Sequence, residues 1–170
     1  TGAIVERQPF GGMGKSAFGA GIKAGGPNYV GQFFRFIDEP KKGTAVTPEI
    51  VDEVLMPLAA VIRSGVDKEI ITADAGDRSL WLLLGLGDQW SKEWSQEHDP
   101  ALLVGQDNLF RYMPVDGIRV RVEGDTSAYD VLAALGMAIR SGSRCVFSIM
   151  SEGNGPVVEY LEQSSRAWGG

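Results

Sequence analysis

A strand–helix–strand pattern between residues 117 and 150 restricts the fold of this chain more than any other feature of its sequence. The segment GIRVRVE, residues 117–123, alternates apolar and charged side chains, which is typical of a strand with one buried face. The segment RCVFSIM, residues 144–150, is almost continuously apolar and predicts a strand buried on both faces. With a helix between them, the two strands predict a βαβ unit that has parallel strands and a right-handed crossover.

The intervening helix has recognisable ends. Ser127 is a suitable N-cap, with Asp130 three residues later as in a weak capping box, and Gly142 follows the last turn. The apolar positions of this helix recur at helical spacing: Val131, Leu132, Leu135, Ala138 and Ile139. We expect this stripe to pack against the sheet.

Two helical patterns precede the βαβ unit. In the first, Thr47 is a predicted cap, Pro48 takes the first helical position, and Ser64–Gly65 ends the helix. Pro57 lies inside this pattern and is expected to kink or split it. The apolar stripe comprises Val51, Val54, Leu55, Leu58 and Ile62.

The second pattern runs from about Asp77 to Gln96. Its apolar face comprises Leu82, Leu83, Leu86, Trp90 and Trp94. A further helix is predicted from Val157 to Trp168. The predicted fold class is α/β: a Rossmann-like βαβ domain in three layers, preceded by a helical segment and a glycine-rich N-terminal extension.

The glycine-rich extension gives the predicted domain organisation. Residues 1–31 contain nine glycines and little apolar periodicity, and residues 29–36 are too short and too apolar to stand alone. Residues 38–47 are polar, with a proline and a glycine, and read as a linker. We therefore predict one region over residues 1–44 and a helical and α/β domain over residues 45–170.

Composition excludes several classes of function. The net charge of −6 argues against a nucleic-acid surface, and no apolar stretch approaches the length that spans a bilayer. The single cysteine excludes an internal disulfide framework and favours a reducing, cytoplasmic setting. Cys145 lies in the middle of a predicted strand, where core packing is favoured over nucleophilic chemistry. With one histidine, His98, the chain has no His-based metal cluster, so we predict no metal site.

Two phosphate-binding motifs are incomplete. Gly14-Lys15-Ser16 resembles the end of a P-loop, but the leading glycine of that motif would fall on Pro9. The turn of the βαβ unit, residues 123–127, has one glycine where the dinucleotide fingerprint has three. We therefore predict neither a cofactor-binding site nor a complete active site in this chain.

The stretch TGAIVERQPFGGMGKSAFGAGIKAGGPNYV, residues 1–30, resembles the end of the catalytic region of aldehyde dehydrogenases. Its TGAIV, QPFGG and KAGGP motifs are most similar to the branch that oxidises L-glutamate γ-semialdehyde, the Δ1-pyrroline-5-carboxylate dehydrogenases. The resemblance implies that the backbone amides of Gly2 and Ala3 bind the substrate α-carboxylate and that Phe10 packs against its aliphatic part. Many members have serine at the Ala3 position, so only backbone donation would remain here.

The stretch HDPALLVGQDNLFRYMPVDGIRVRV, residues 98–122, resembles the G-E-x-N-x-F/Y-R-Y-x-P segment of proline utilization A proteins, with Gln106 in place of the glutamate. These bacterial enzymes join an FAD-dependent proline dehydrogenase to the NAD-dependent semialdehyde dehydrogenase. The resemblance implies a C-terminal fragment whose upstream domains carry the catalytic cysteine, the catalytic glutamate and the NAD site. The parent would be a cytoplasmic homo-oligomer acting on a small molecule, and the fragment alone would be inactive, without bound cofactor.

Two other functions remain open from the residues alone. Residues 45–170 are either an autonomous interaction domain that serves dimer contacts, or a small-ligand module that binds a nucleotide at the carboxyl edge of the sheet.

Overall fold

The computed structural model of the chain describes residues 10, 11, 15, 29–35, 37, 49–123, 125–149 and 156–168. Within these residues the fold mixes helices and parallel strands, which agrees with the predicted α/β class. The regular elements, in chain order, are α1 (Met56–Asp67), α2 (Ala73–Gln89), β1 (Ile118–Val122), α3 (Ala128–Ser141), β2 (Cys145–Ile149) and α4 (Pro156–Ser164). A π-helical turn, Trp90–Trp94, continues α2, and short 3-10 turns lie at Val30–Phe33 and Ser165–Trp168.

The predicted βαβ unit is confirmed. Strands β1 and β2 pair in parallel with Ile118 beside Cys145 and Val122 beside Ile149. Helix α3 connects them with the predicted ends: the Ser127 hydroxyl accepts a hydrogen bond from the Asp130 amide, and Gly142 has φ 70°. A left-handed residue directly after a helix satisfies the last carbonyls and favours glycine.

The core lies where the four helices meet the inner face of the sheet. Buried residues of α1, α2, α3 and α4 contribute to one cluster, together with Val122 of β1. Helices α1 and α2 approach so closely that a methyl group on Gly76 would overlap with Val66 Cγ2. Helix α4 joins the cluster through Tyr160, whose hydroxyl donates a hydrogen bond to the Val61 carbonyl at 3.0 Å.

The predicted start of the first helix is wrong. Thr47 and Pro48 lie outside the described residues, and α1 begins at Met56, so Pro57 occupies its first turn. Proline is tolerated in a first turn because that amide has no intrahelical partner, and the expected kink therefore does not occur. Gly65 is a buried position inside α1, which ends at Asp67.

Asp52 fixes the segment that precedes α1. Its Oδ1 accepts hydrogen bonds from the amides of Val54 and Leu55, at 3.1 and 3.3 Å. Its Oδ2 lies 2.6 Å from Nε of Arg140, which also covers the Trp90 ring at 4.5 Å. The Arg140 contact is a close ion pair rather than an aligned hydrogen bond, because its N–H does not point at the carboxylate. These contacts of Asp52 hold the segment that precedes α1 against the ends of α2 and α3.

Helix α2 begins four residues earlier than predicted. Thr72 caps it by accepting a hydrogen bond from the Ala75 amide, and the α-helical hydrogen bonding ends at Gln89. Leu83 and Leu86 are buried as predicted, while Leu82 and Trp94 are partly buried against the core.

The sheet differs from the prediction on its outer face. Strand β2 is not buried on both faces: Val146 is 43% exposed and Ser148 is exposed. The same face carries the exposed Arg119 and Arg121 of β1. Among the described residues, helices cover one face of the sheet only, so the expected third layer is absent from this part of the chain. The Rossmann-like assignment stays a prediction.

The chain divides into two compact units. One comprises Thr1–Gly43 with Glu97–Arg111, and the other comprises Thr44–Gln96 with Tyr112–Gly170 and contains all the elements α1 to α4. Each unit groups residues that lie close together in space. The domain division predicted from the sequence stays a prediction: residues 1–44 and residues 45–170. None of the helices in the described ranges has both the length and the hydropathy that a bilayer crossing requires.

Candidate functional site

Phe10 is the one predicted substrate-binding residue that falls within the described residues. Gly2 and Ala3, the predicted carboxylate anchor, lie outside the described residues. The Phe10 side chain is 70% exposed, and Gly11 beside it has φ 142°, a conformation that favours glycine. Phe10 is therefore available for contact with a ligand, while its arrangement with Gly2 and Ala3 stays a prediction.

A second exposed apolar group lies at residues 29–37. Tyr29 and Phe33 make an edge-to-face contact with ring centroids 5.5 Å apart, and Phe33, Phe34 and Ile37 are exposed. A 3-10 turn with this much exposed apolar surface has the properties of a contact surface. The expectation that residues 29–36 do not stand alone stays a prediction.

The carboxyl end of the sheet is the usual ligand-binding place in an open α/β fold. Here the turn after β1 satisfies its own polar groups: Thr126 Oγ1 accepts a hydrogen bond from the Glu123 amide at 2.9 Å. Ser127 caps α3 and donates to the Asp130 carboxylate at 2.6 Å. A carboxylate in the first turn occupies the place where a phosphate would gain from the helix dipole. The described part of this turn therefore directs its polar groups to contacts within the chain, and the absence of a cofactor site stays a prediction.

The most organised surface feature is the loop of residues 97–111, here termed the 97–111 loop. Its ends are joined by a backbone bridge in which His98 and Phe110 exchange hydrogen bonds of 2.9 and 2.7 Å. Beside the bridge, Arg111 Nη1 donates to Glu97 Oε1 at 3.0 Å. The two contacts close a compact loop of the Ω type, which is a frequent location for functional residues.

Asp99 organises the interior of the 97–111 loop. Its Oδ1 accepts hydrogen bonds from the amides of Ala101 and Leu102 at 3.1 and 3.0 Å, and its Oδ2 accepts one from the Asn108 amide at 3.2 Å. These donors lower the pKa of Asp99, chiefly through the amides of Asn108 and Leu102, because they stabilise the charged carboxylate. The carboxylate is therefore a structural acceptor that ties both halves of the loop together.

The tip of the 97–111 loop points apolar side chains outward. Leu102 is 79% exposed, Val104 is fully exposed and Leu109 is exposed. Leu102 has φ 45° and Gly105 has φ 79°. A left-handed conformation costs an L-residue such as leucine about 1–2 kcal/mol. The Asp99 hydrogen bonds thus hold a strained backbone that presents apolar surface, which is typical of a loop that contacts another body.

Cys145 does not have the environment of a catalytic nucleophile. Cys145 is partly buried in β2, and burial raises the pKa of its thiol, which disfavours the reactive thiolate. Within the described ranges, no group of three or more His, Cys, Asp or Glu side chains is placed to hold a metal ion. The sequence analysis assigned no role to Asp99 and missed its position at the centre of a loop. The Asp-Pro dipeptide at residues 99–100 is a turn signal that could have indicated part of that position.

Comparison with known proteins shows a likeness in fold. No protein-family model matches the sequence, and no curated protein matches it. Among solved structures, the chain is similar to Proline Utilization A (PutA) from Corynebacterium freiburgense, with a TM-score of 0.58 and 24% sequence identity. The similarity covers 98% of this chain but 16% of the PutA chain, so this chain corresponds in fold to a small part of that longer protein.

Proposed function

We propose that this chain is the C-terminal region of a proline-catabolic oxidoreductase of the proline utilization A kind, and that it is a non-catalytic part of that enzyme. The observation that carries the proposal is the fold likeness to PutA over 98% of this chain. The TGAIV and QPFGG motifs of residues 1–12, and the segment of residues 98–122, support it independently, because they resemble the same enzymes in sequence.

In this proposal residues 1–12 provide the substrate anchor. The amides of Gly2 and Ala3 would bind the α-carboxylate of L-glutamate γ-semialdehyde, since convergent backbone N–H groups form an anion-binding concavity. Phe10 would pack against the aliphatic part of the substrate, and the exposure of its ring leaves it available for that contact. The substrate is thereby oriented for oxidation by residues elsewhere in the polypeptide.

The cofactors of the parent, NAD for the semialdehyde step and FAD for the proline step, would bind outside this chain. The incomplete glycine fingerprint of residues 123–127 supports this part of the proposal, as do the contacts of Ser127 and Asp130 at the N-terminus of α3. The catalytic cysteine and glutamate would likewise belong to the upstream domains, since the thiol of Cys145 is partly buried and has a raised pKa. No chemical step is assigned to the residues of this chain.

The α/β part would be structural and would cover the active-site tunnel, as is thought for the non-catalytic domain of larger proline utilization A proteins. The outward-facing apolar tip of the 97–111 loop favours such a contact role, because exposed apolar side chains on an ordered loop gain free energy when another surface buries them. The autonomous dimer domain and the nucleotide-binding module are the alternatives to this role.

The proposal is tested by comparing the isolated chain with the longer polypeptide that contains it. With L-glutamate γ-semialdehyde and NAD, the longer polypeptide should form NADH, measured at its absorbance maximum, and the isolated chain should form none. NADH formation by the isolated chain, or no dehydrogenase activity in the longer polypeptide, would contradict the proposal.

The anchor is tested by Phe10→Ala in the longer polypeptide. Loss of the ring contact should raise KM for the semialdehyde about tenfold and leave kcat within about twofold, because the ring is proposed to bind ground state and transition state alike. Phe33→Ala is the matched control, since it truncates an equally exposed phenylalanine that has no proposed substrate contact. An unchanged KM for Phe10→Ala, or equal effects of the two substitutions, removes Phe10 from the anchor.

A further inference from the structure

The outer edge of β2 has backbone polar groups directed away from the sheet. The Ile118 amide donates to the Arg144 carbonyl, and the parallel register then directs the backbone groups of Val146 and Ser148 towards β1. The N–H and C=O groups of the alternate residues Cys145, Phe147 and Ile149 therefore point to the opposite side. Among the described residues, β1 and β2 form a two-stranded sheet with no third strand to pair with them.

The two edges of this sheet differ in charge. Strand β1 carries Arg119 and Arg121, both exposed, and Arg121 forms an ion pair with Glu123 at 3.2 Å. Charged side chains on an edge strand oppose pairing with another chain. Strand β2, residues 145–149, has no charged side chain. The β2 edge thus lacks the charged side chains that the β1 edge has, and within the described ranges no strand other than β1 pairs with β2.

We propose that the β2 edge pairs with the β2 edge of a second copy of this chain, in antiparallel orientation and centred on Phe147. Phe147 would lie opposite the partner's Phe147, and Cys145 opposite the partner's Ile149. The outward-facing groups of the three β2 residues form three hydrogen-bonded pairs in this register, or about six hydrogen bonds. The product is a continuous four-stranded sheet with a two-fold axis normal to it.

A second copy fits the β2 edge because the register is self-complementary. It places Val146 opposite the partner's Ser148, so no like charges meet, and it brings two phenylalanines together on the helix-covered face. The corresponding two-fold pairing at the β1 edge would place Arg119 opposite the partner's Arg121, which is destabilising. The two-fold axis also keeps α3 of both copies on the same side of the combined sheet. The interface rests on sheet geometry and is independent of the proposed catalytic parent.

The register is tested by disulfide formation in the full chain carrying Ile149→Cys. Cys145 and the partner's residue 149 would have Cα atoms about 5.5 Å apart, within the range of a disulfide. Within one chain the two positions are four residues apart on a strand, about 13 Å, which is too far for an internal bond. Mild catalysed oxidation should therefore convert most of the variant to a covalent dimer on a non-reducing gel, and reductant should reverse this.

Ser148→Cys is the matched control. It places a thiol one residue away on the other face of the same strand, opposite the partner's Val146, so cross-linking should remain at the level of the unmodified chain. Equal cross-linking of the two variants, or no cross-linking of Ile149→Cys, would overturn the proposed register.

Light scattering of the unmodified chain provides the second measurement. At a chain concentration of tens of micromolar, the expected mass is that of a dimer. Val146→Lys should shift the mass towards that of the monomer, because a charged side chain on an edge strand opposes pairing with another strand. Val146 is partly exposed, so the substitution should leave the circular dichroism spectrum unchanged. A monomeric mass for the unmodified chain would overturn the proposed interface, whatever the outcome of the dehydrogenase assay.

Discussion

Asp99 is the residue on which the shape of the 97–111 loop depends. Its carboxylate accepts hydrogen bonds from three amides, of which the Asn108 amide comes from the far side of the loop. The exposed conformation of Leu102, with its positive φ, is therefore maintained by one side chain.

We expect Asp99→Ala to loosen the loop without unfolding the helices. Limited proteolysis should then cut within residues 97–111 at least about five times faster than in the unmodified chain, because cleavage follows the population of the open loop. Asp107→Ala is the control, since it removes an exposed carboxylate of the same loop with no comparable hydrogen bonds. Equal cleavage rates for the two variants would show that Asp99 does not hold the loop.

The same residue gives a pH dependence with a defined sign. The pKa of Asp99 in the folded loop lies below its ordinary value of 3.8, so the folded state favours the charged form. The contribution of Asp99 to stability is complete above pH 3.8 and is lost as the pH falls through the lowered folded pKa. The amide resonances of Leu102 and Asn108 should therefore move together below pH 3.8, and a midpoint above 3.8 would contradict this.

At the scale of elements, the crossing of α1 and α2 depends on a residue without a side chain. A methyl group at Gly76 would overlap with Val66 Cγ2, and the χ1 angle of a valine in a helix has little freedom to move. Gly85 lies in the same helix, and a methyl group there would meet no atom within 4 Å. Substitutions at the two glycines therefore distinguish the effect of helix–helix packing on stability from the effect of helix propensity.

We expect Gly76→Ala and Gly85→Ala to change the free energy of unfolding in opposite directions. Gly76→Ala should destabilise the chain by about 1–3 kcal/mol, because it forces the two helices apart. Gly85→Ala should stabilise it by about 0.5–1 kcal/mol, because alanine loses less entropy than glycine in a helix. Urea denaturation followed by circular dichroism measures both, and a stabilising Gly76→Ala would refute the close approach.

Local hydrogen bonding explains which element boundaries the sequence predicts well. Ser127, Asp130 and Gly142 define α3 through contacts within a few residues, and all three have the expected roles. The start of α1 was mispredicted because Asp52, held by the distant Arg140, organises the preceding segment. Likewise the three acceptor bonds of Asp99 require the chain to return at residue 108, which no local pattern encodes. The substrate contact of Phe10 comes from its motif alone and stays a prediction, because the exposure of the ring does not identify what it contacts.

At the scale of the whole molecule, the exposed apolar tip of the 97–111 loop predicts different outcomes in the isolated chain and in the longer polypeptide that the proposed function implies. The double variant Leu102→Asp, Val104→Asp should leave the isolated chain folded, because both side chains are already in solvent. In the longer polypeptide it should lower Tm by about 2–4 °C, because two carboxylates would be forced into an apolar contact.

Val51→Asp is the control for this comparison, since it places one carboxylate on an exposed valine outside the loop. Thermal unfolding of both variants in both proteins measures the effect. If the tip variant lowers Tm by the same amount in the isolated chain, the loop is not a contact with the rest of the polypeptide.

The hydrogen bond from Tyr160 to the Val61 carbonyl joins residues 99 positions apart along the chain. Val158 and Leu161 of the same helix α4 are buried in the cluster that α1 and α2 begin. During synthesis, α1 and α2 therefore leave the ribosome long before the helix that completes their packing exists. Part of this apolar surface therefore stays uncovered until α4 has emerged, and the unit reaches its final fold only then.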